Sequence, residues 1–261
     1  MRKSIFLPCT ALFGYAFLPL PCAAQQTDVN TTFEDAKLYF TAPIRWDARN
    51  WSYFGGTLLA IGAAHEFDDN VRTHFAIGDR AVLNGKDRHS TRDALPAAAL
   101  VAGTFAYAML IDEDAGRAES YAMLEAAGLS AITTTALKFV AGRERPNETA
   151  DMNSWRNGGS SFPSLHASAA FAIGTVFAES GGDEYRWIRR VIGYGMAGAT
   201  AYTRVHDNVH WLSDTVAGAA IGIATAHFVL NRRDRRSGGG EVSVAPLQGG
   251  GVLLSYRLPL H

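Results

Sequence analysis

The sequence predicts an all-α fold, a bundle of about six helices, and three observations carry that expectation. The chain is rich in Ala and Gly, with 42 Ala and 26 Gly against 9 Pro in 261 residues, and Ala is the strongest helix former. Its apolar residues gather in segments 51–64, 94–111, 121–140, 167–178, 191–202 and 215–230, runs longer than ordinary strands. The composition, 48% hydrophobic and 19% charged, excludes wholesale disorder, and the length is ample for a buried core. A net charge of -1 gives no general reason to expect nucleic acid as a partner. A mean hydropathy of -0.02 stands between a soluble protein and a polytopic membrane protein.

In chain order, residues 1–24 read as a secretory signal. Arg2 and Lys3 precede an apolar run over 5–20, and the small-residue exit PCAA places cleavage after Ala24. An uncleaved first transmembrane helix is the alternative. Both cysteines, Cys9 and Cys22, lie in this leader, so a processed chain contains none and is held by packing alone. Residues 25–50 form a polar leading segment, irregular or short-helical. The helical domain follows over 51–231. Within it the connector 65–93 is polar, and its HEFDD run (65–69) reads as a solvated loop. Residues 147–161 have the Asn, Gly and Ser content of a loop. Gly193, Gly195 and Gly198 match a dinucleotide fingerprint by letters but lie in an Ala/Gly-rich helix, where close packing explains them; Gly218 and Gly222 form a GxxxG suited to the same end. The tail, 232–261, begins with a basic run and a Gly-rich joint and ends as two short strands around a Gly-rich turn.

Three clusters in the second half carry chemistry. Lys138 precedes Arg145 and Pro146, a cationic group at a helix end that Pro stops. Taken alone, it also fits an ordinary helix C-terminus whose basic residues offset the dipole. In SFPSLHAS, Ser164 is an N-cap candidate and His166 sits in the first turn, where unpaired N–H groups attract anions; a plain cap fits equally. In TRVHDNVHWLSD, Arg204 is followed by His210 and Asp214, and the i,i+4 spacing puts imidazole and carboxylate on one helical face. A carboxylate there fixes the tautomer of a nucleophilic His. His206, His210 and Asp214 also fall at i, i+4 and i+8, a possible metal face, although the surrounding cations favour an anion. Arg143 is a further candidate for the positive pocket. His65, His74, His89 and His227 stand alone and read as structural or exposed.

Together these clusters resemble the type 2 phosphatidic acid phosphatase superfamily, which includes bacterial non-specific acid phosphatases and vanadium haloperoxidases. Its signature is K-x6-RP, PSGH and SR-x5-H-x3-D in that order. Here it stands as Lys138 to Arg145–Pro146, Pro163–Ser164–Leu165–His166, and Thr203–Arg204 to His210 and Asp214. Leu165 replaces the family's Gly and Thr203 its Ser; neither change removes a charged or proton-transferring group. The resemblance implies His210 as nucleophile, Asp214 as its orienting acid and His166 as general acid and base. Lys138, Arg145, Ser164 and Arg204 would hold the phosphate, with no metal and no cofactor. It implies a phosphatase for monoesters or diphosphates, most readily of lipids. Three alternatives share the pocket: a soluble periplasmic acid phosphatase, a vanadate-dependent haloperoxidase and a non-catalytic phosphate-binding membrane protein.

The uncharged run 94–111 is near spanning length. Arg186, Arg189 and Arg190, with the basic run after Leu230, suit cytoplasmic loops. The expectation is therefore an inner-membrane protein with its site on the periplasmic face and segment 51–64 packed peripherally; a soluble periplasmic bundle is the alternative. The expected partner is a phosphorylated lipid or small phosphate ester.

Overall fold

Helices account for most of the molecule. The computed structural model describes residues 29–76, 90–110, 114–181, 185–237, 241–247 and 251–257, so the leader over 1–24 lies outside the described residues. Among these, eight α-helices follow one another: α1 (Val29–Thr41), α2 (Ala48–Glu66), α3 (Asp68–Phe75), α4 (Ser90–Leu110), α5 (Asp114–Ala141), α6 (Leu165–Glu179), α7 (Arg186–His206) and α8 (Leu212–Ser237). The all-α expectation holds, and the leading segment is helical through α1 and a short 3-10 turn, Ala42–Arg45. The strands β1 (Glu241–Leu247) and β2 (Gly251–Arg257) pair antiparallel as the tail pattern predicts. The basic run after Leu230 does not interrupt α8, which continues through it to Ser237.

α6 is the axis of the bundle, packed against α5, α7 and α8, with α4 closing the side between α5 and α6. It starts at Ser164, whose hydroxyl accepts from the Ala167 N–H. α5 runs antiparallel to α6: Thr134 donates to the Ser168 hydroxyl at one end, and Ser180 donates to Glu119 at the other. The shared core is built mostly of small side chains, with Ala122, Ala126, Ala172 and Ala226 around Met123, Leu129, Ile173, Val176 and Val229. Small residues let backbones approach until main-chain atoms touch. A Cβ at Gly218 would stand 2.5 Å from the Ser164 carbonyl oxygen, and one at Gly222 would stand 2.3 Å from that of Ser168. Gly174 and Gly193 meet in the same way between α6 and α7, so the GYGMAG run packs helices.

α2 lies along α8 and buries only Ala64. Among the described residues one segment, Leu212–Arg235, is long and apolar enough to cross a membrane, and half of its apolar window is buried in the protein.

The structure corrects one expectation within the connector after α2. The HEFDD run is not a solvated loop. α2 ends at Phe67, α3 begins at Asp68, and Asp68 is buried while its neighbours Glu66, Phe67 and Asp69 face outward. The turn between the helices aims that carboxylate inward, where its partners wait.

Candidate active site

The site forms at one end of the bundle, where α5 and α7 finish and α6 and α8 start. α7 ends at His206 and α8 begins at Leu212, so His210 and Asp214 do not share a helical face as their spacing predicts. His210 sits in the turn between the helices. Asn208 takes a positive φ of 58° there, a conformation Asn tolerates better than most side chains. The Arg204 carbonyl then accepts from both the Val209 and His210 N–H groups. Asp214, in the first turn of α8, reaches back with Oδ2 to the Trp211 N–H at 2.9 Å, and the same oxygen lies 3.4 Å from His210 Nδ1. The pair meets across a helix start rather than along one helix. The same break removes the metal face, because His206 belongs to α7, stacks on Tyr202 and contacts Asp207. No cluster of three His, Cys, Asp or Glu side chains suited to a metal occurs among the described residues.

His210 is almost fully buried. Burial pushes its imidazole down to about 4; Asp214 pulls upward, and Lys138 and Arg145 push down again. The ring is therefore neutral at neutral pH. Nδ1 lies on the side of Asp214, and a proton on it would leave the lone pair on Nε2.

The long loop after α5 carries the next layer. Gly142, at a φ of 54°, ends the helix. Its carbonyl accepts from Asn157 and Gly159, and the Arg143 carbonyl accepts from Ser161. Folding back in this way brings the Ser161 hydroxyl to Asp214 Oδ2. The Lys138 ammonium donates to the carbonyls of Ser160 and Ser161, tying the end of α5 to the same strip. Ser164 donates its N–H to the Asp214 carbonyl at 3.0 Å, which fixes the start of α6 against the start of α8. His166, half-buried, follows in that first turn. Arg145 is half-buried beside buried Pro146, and Arg204 is fully buried in the last turn of α7, its guanidinium 3.8 Å from Asp207.

Lys138, Arg145, Ser164, His210 and Asp214 are thus drawn to one end of the bundle, with His166 and Arg204 on the helices that frame it. Arg143 is not part of the anion pocket. Its side chain is fully buried behind Asp214, and it donates to Asp214 Oδ1 at 2.8 Å and Asp68 Oδ2 at 2.8 Å. The ring of Trp155 lies 4.5 Å and that of Trp211 5.1 Å from the guanidinium, close enough for cation–π attraction to both. Asp68 also accepts from the Ser213 N–H at 2.9 Å and hydroxyl at 2.6 Å, and His65 Nδ1 lies 3.0 Å away. His65 is half-buried and reaches Asn153 through Nε2 at 3.0 Å, so it is neither isolated nor exposed.

His166 also lines the upper wall of a cavity of about 580 Å³ between α4, α5 and α6. Ala97, Val101 and Phe105 on α4, Tyr121 and Leu124 on α5, and Ile173 on α6 form its apolar sides. Ala97 to Phe105 spans eight residues of helix, about 12 Å at the α-helical rise.

A buried histidine beside a carboxylate, within reach of the cations Lys138 and Arg145, is an arrangement suited to an anion and to proton transfer. Residues 120–237 match the model of the PAP2 superfamily. Over 113 residues, 41% of the chain, the protein is 35% identical to the lipid A 1-phosphatase of Porphyromonas gingivalis, and the match spans 23% of that protein's length. Among solved structures it is similar to LpxE of Aquifex aeolicus, at 25% identity over 56% of this chain and 88% of that one, with a TM-score of 0.38. It is also similar to a transmembrane PAP2 type phosphatidylglycerolphosphate phosphatase of Bacillus subtilis, at 18% identity over 79% and 96%, with a TM-score of 0.41.

Proposed function

We propose that the protein is a phosphatase of membrane lipid phosphates working through a phosphohistidine. The observation that carries this reading is the buried His210–Asp214 pair with Lys138 and Arg145 acting on it; His166, in the first turn of α6, lines an apolar cavity that suits a lipid chain. In the first step the Nε2 lone pair of neutral His210 attacks phosphorus while His166 gives a proton to the departing lipid oxygen, so the P–O bond breaks as the P–N bond forms. Asp214 balances the positive charge that His210 gains. In the second step His166 takes a proton from water, the water oxygen attacks phosphorus, and His210 leaves as neutral imidazole with inorganic phosphate released. Lys138, Arg145, Arg204 and the hydroxyl of Ser164 face the phosphate oxygens, whose charge they offset in both transition states. Side chains thereby supply the cations that a metal supplies elsewhere.

The surface supports a membrane seat. Leu59 on α2, Phe139 and Val140 at the end of α5, and Trp187 and Val191 on α7 are all strongly exposed. Arg189, Arg190 and Arg233 pair with Glu119, Glu179 and Glu125 at the end of the bundle opposite the site. Basic residues at that end favour it as the cytoplasmic side, leaving the site on the periplasmic face of the inner membrane.

The test is phosphate release by detergent-purified protein from a panel of phosphatidate, isoprenyl diphosphate, lipid A phosphates and soluble esters, with and without chelator. Wild type releases phosphate from lipids in chelator, His210→Ala is inactive, and an acid-labile, base-stable phosphoenzyme is trapped at short times. Ala169→Trp, which fills the cavity beside His166, raises KM for long-chain substrates and leaves a short soluble ester unchanged. Activity retained in His210→Ala sinks the mechanism. Equal use of soluble esters, unaffected by Ala169→Trp, sinks the lipid reading, and vanadate-dependent halide oxidation would move the protein to another branch of the family.

A further inference from the structure

Resting on the phosphatase reading, we propose that Asp68 is a positioning residue for the reaction, holding Arg143 so that Asp214 is presented to His210. Asp68 lies far in sequence from all three catalytic clusters, yet its side chain is fully buried behind them. Every oxygen it presents is used: Oδ1 accepts the Ser213 N–H, and Oδ2 accepts the Ser213 hydroxyl and Arg143 Nη2. Arg143 spends its other terminal nitrogen on Asp214 Oδ1 and on the Ser213 hydroxyl, each at 2.8 Å. Hydrogen bonds therefore run from Asp68 through Arg143 to Asp214, whose Oδ2 lies 3.4 Å from His210 Nδ1, and Ser213, next to Asp214, is clamped at both its N–H and its hydroxyl.

Charge makes this more than a clamp. Two buried carboxylates flank one guanidinium, so the trio carries a net negative charge. That surplus favours the positive charge His210 acquires when it bonds phosphorus or a proton. Without Asp68 the trio is neutral, and Arg143 draws Asp214 away from the imidazole. The charged groups acting on His210 are then Lys138 from α5, Arg145 from the loop and Asp214 from α8, of which two are cations, and Arg72 from α3 lines the same small cleft as His210. His65 from α2 faces Asp68 itself. A purely structural Asp68 would stabilise the packing of α3 and leave the chemistry of His210 alone.

The experiment compares wild type with Asp68→Asn, Asp68→Glu and Ser213→Ala in detergent, reading kcat, KM and the His210 titration by NMR of ¹⁵N-histidine-labelled protein, with His210→Asn to assign the signal. In Asp68→Asn, kcat falls about tenfold or more with KM within about twofold, and the His210 titration moves down by about half a unit or more. Asp68→Glu, which returns the charge, recovers the titration. Ser213→Ala shifts both readouts the same way by less. A folded Asp68→Asn with wild-type kcat and titration overturns the proposal, as does one whose only change is a lower Tm. If Asp68→Asn fails to fold, Ser213→Ala decides: unchanged kcat and titration overturn the proposal, and a shift in both supports it. The titration needs no turnover, so an inert wild type whose His210 responds to Asp68 refutes the phosphatase reading while the linkage stands.

Discussion

Gly218→Ala tests whether the site is built by backbone contact. A methyl added at Gly218 would stand 2.5 Å from the Ser164 carbonyl oxygen and 3.2 Å from both the Ala167 Cβ and the Ser168 nitrogen. Carbon and oxygen approach comfortably to about 3.3 Å, so α8 and the start of α6 must part by about 0.8 Å. Ser164 is the residue that caps α6 and donates to the Asp214 carbonyl, so the displacement falls on the joint between His166 and Asp214. Overpacking costs about 1–3 kcal/mol, of which better helix propensity returns about 1 kcal/mol. Catalysis suffers more than folding, because a shift near 1 Å at reacting groups costs as much as about 100-fold. Gly128→Ala on α5, where a Cβ meets nothing within 4 Å, is the matched control and leaves kcat unchanged with Tm equal or higher. Phosphate release and thermal unfolding are measured on both proteins. A Gly218→Ala protein with kcat within about twofold of wild type and a Tm matching the control refutes the contact and the reasoning from it.

Three further outcomes follow from the buried charges. His210 titrates near 4 when folded against 6.5 when free, so the acid-side fall in kcat/KM caused by its protonation has its inflection near 4; an inflection between 6 and 7 assigned to His210 contradicts its burial. Because the folded value is the depressed one, its stability contribution is complete above pH 6.5 and is lost as pH falls toward 4. The ceiling is about 3 kcal/mol, to be read as the difference between wild type and His210→Asn in denaturant titrations at pH 7 and 4.5. Arg143→Met leaves Asp68 and Asp214 as two buried carboxylates without their shared partner, and thermal unfolding should show a loss of about 3–5 kcal/mol; a Tm within a degree of wild type would mean that water reaches the cluster.

The helical body was legible because its signals are local. Ala-rich apolar runs mark α2 and α4 through α8, and the glycines at 218 and 222 announce a close approach without naming what they approach. Boundaries were less legible where tertiary contacts set them. The basic run after Leu230 reads as a stop, yet α8 carries it for two more turns, and Arg233 is held there by Glu125 and the Ala118 carbonyl on α5. His210 and Asp214 have helical spacing, but Arg204 caps the end of α7 with its carbonyl and Asn208 turns the chain. Their meeting survives the break because Asp214 stands in the first turn of the next helix, where its carboxylate also serves the Trp211 N–H.

What the motifs cannot announce is the group behind them. Asp68 and Asp69 read alike in sequence, adjacent acids after an apolar helix, and only the turn at Phe67 separates a buried carboxylate from an exposed one. The usable signal was a surplus. GRERP offers one more Arg than phosphate binding needs, and a fully buried guanidinium beside Trp155 and Trp211 requires counter-charge. Asp214 meets it with Oδ1 and turns Oδ2 toward His210, so one carboxylate faces two groups. A second buried carboxylate frees Asp214 to serve both, which makes the α2–α3 turn part of the chemistry although it lies outside the residues that match the family.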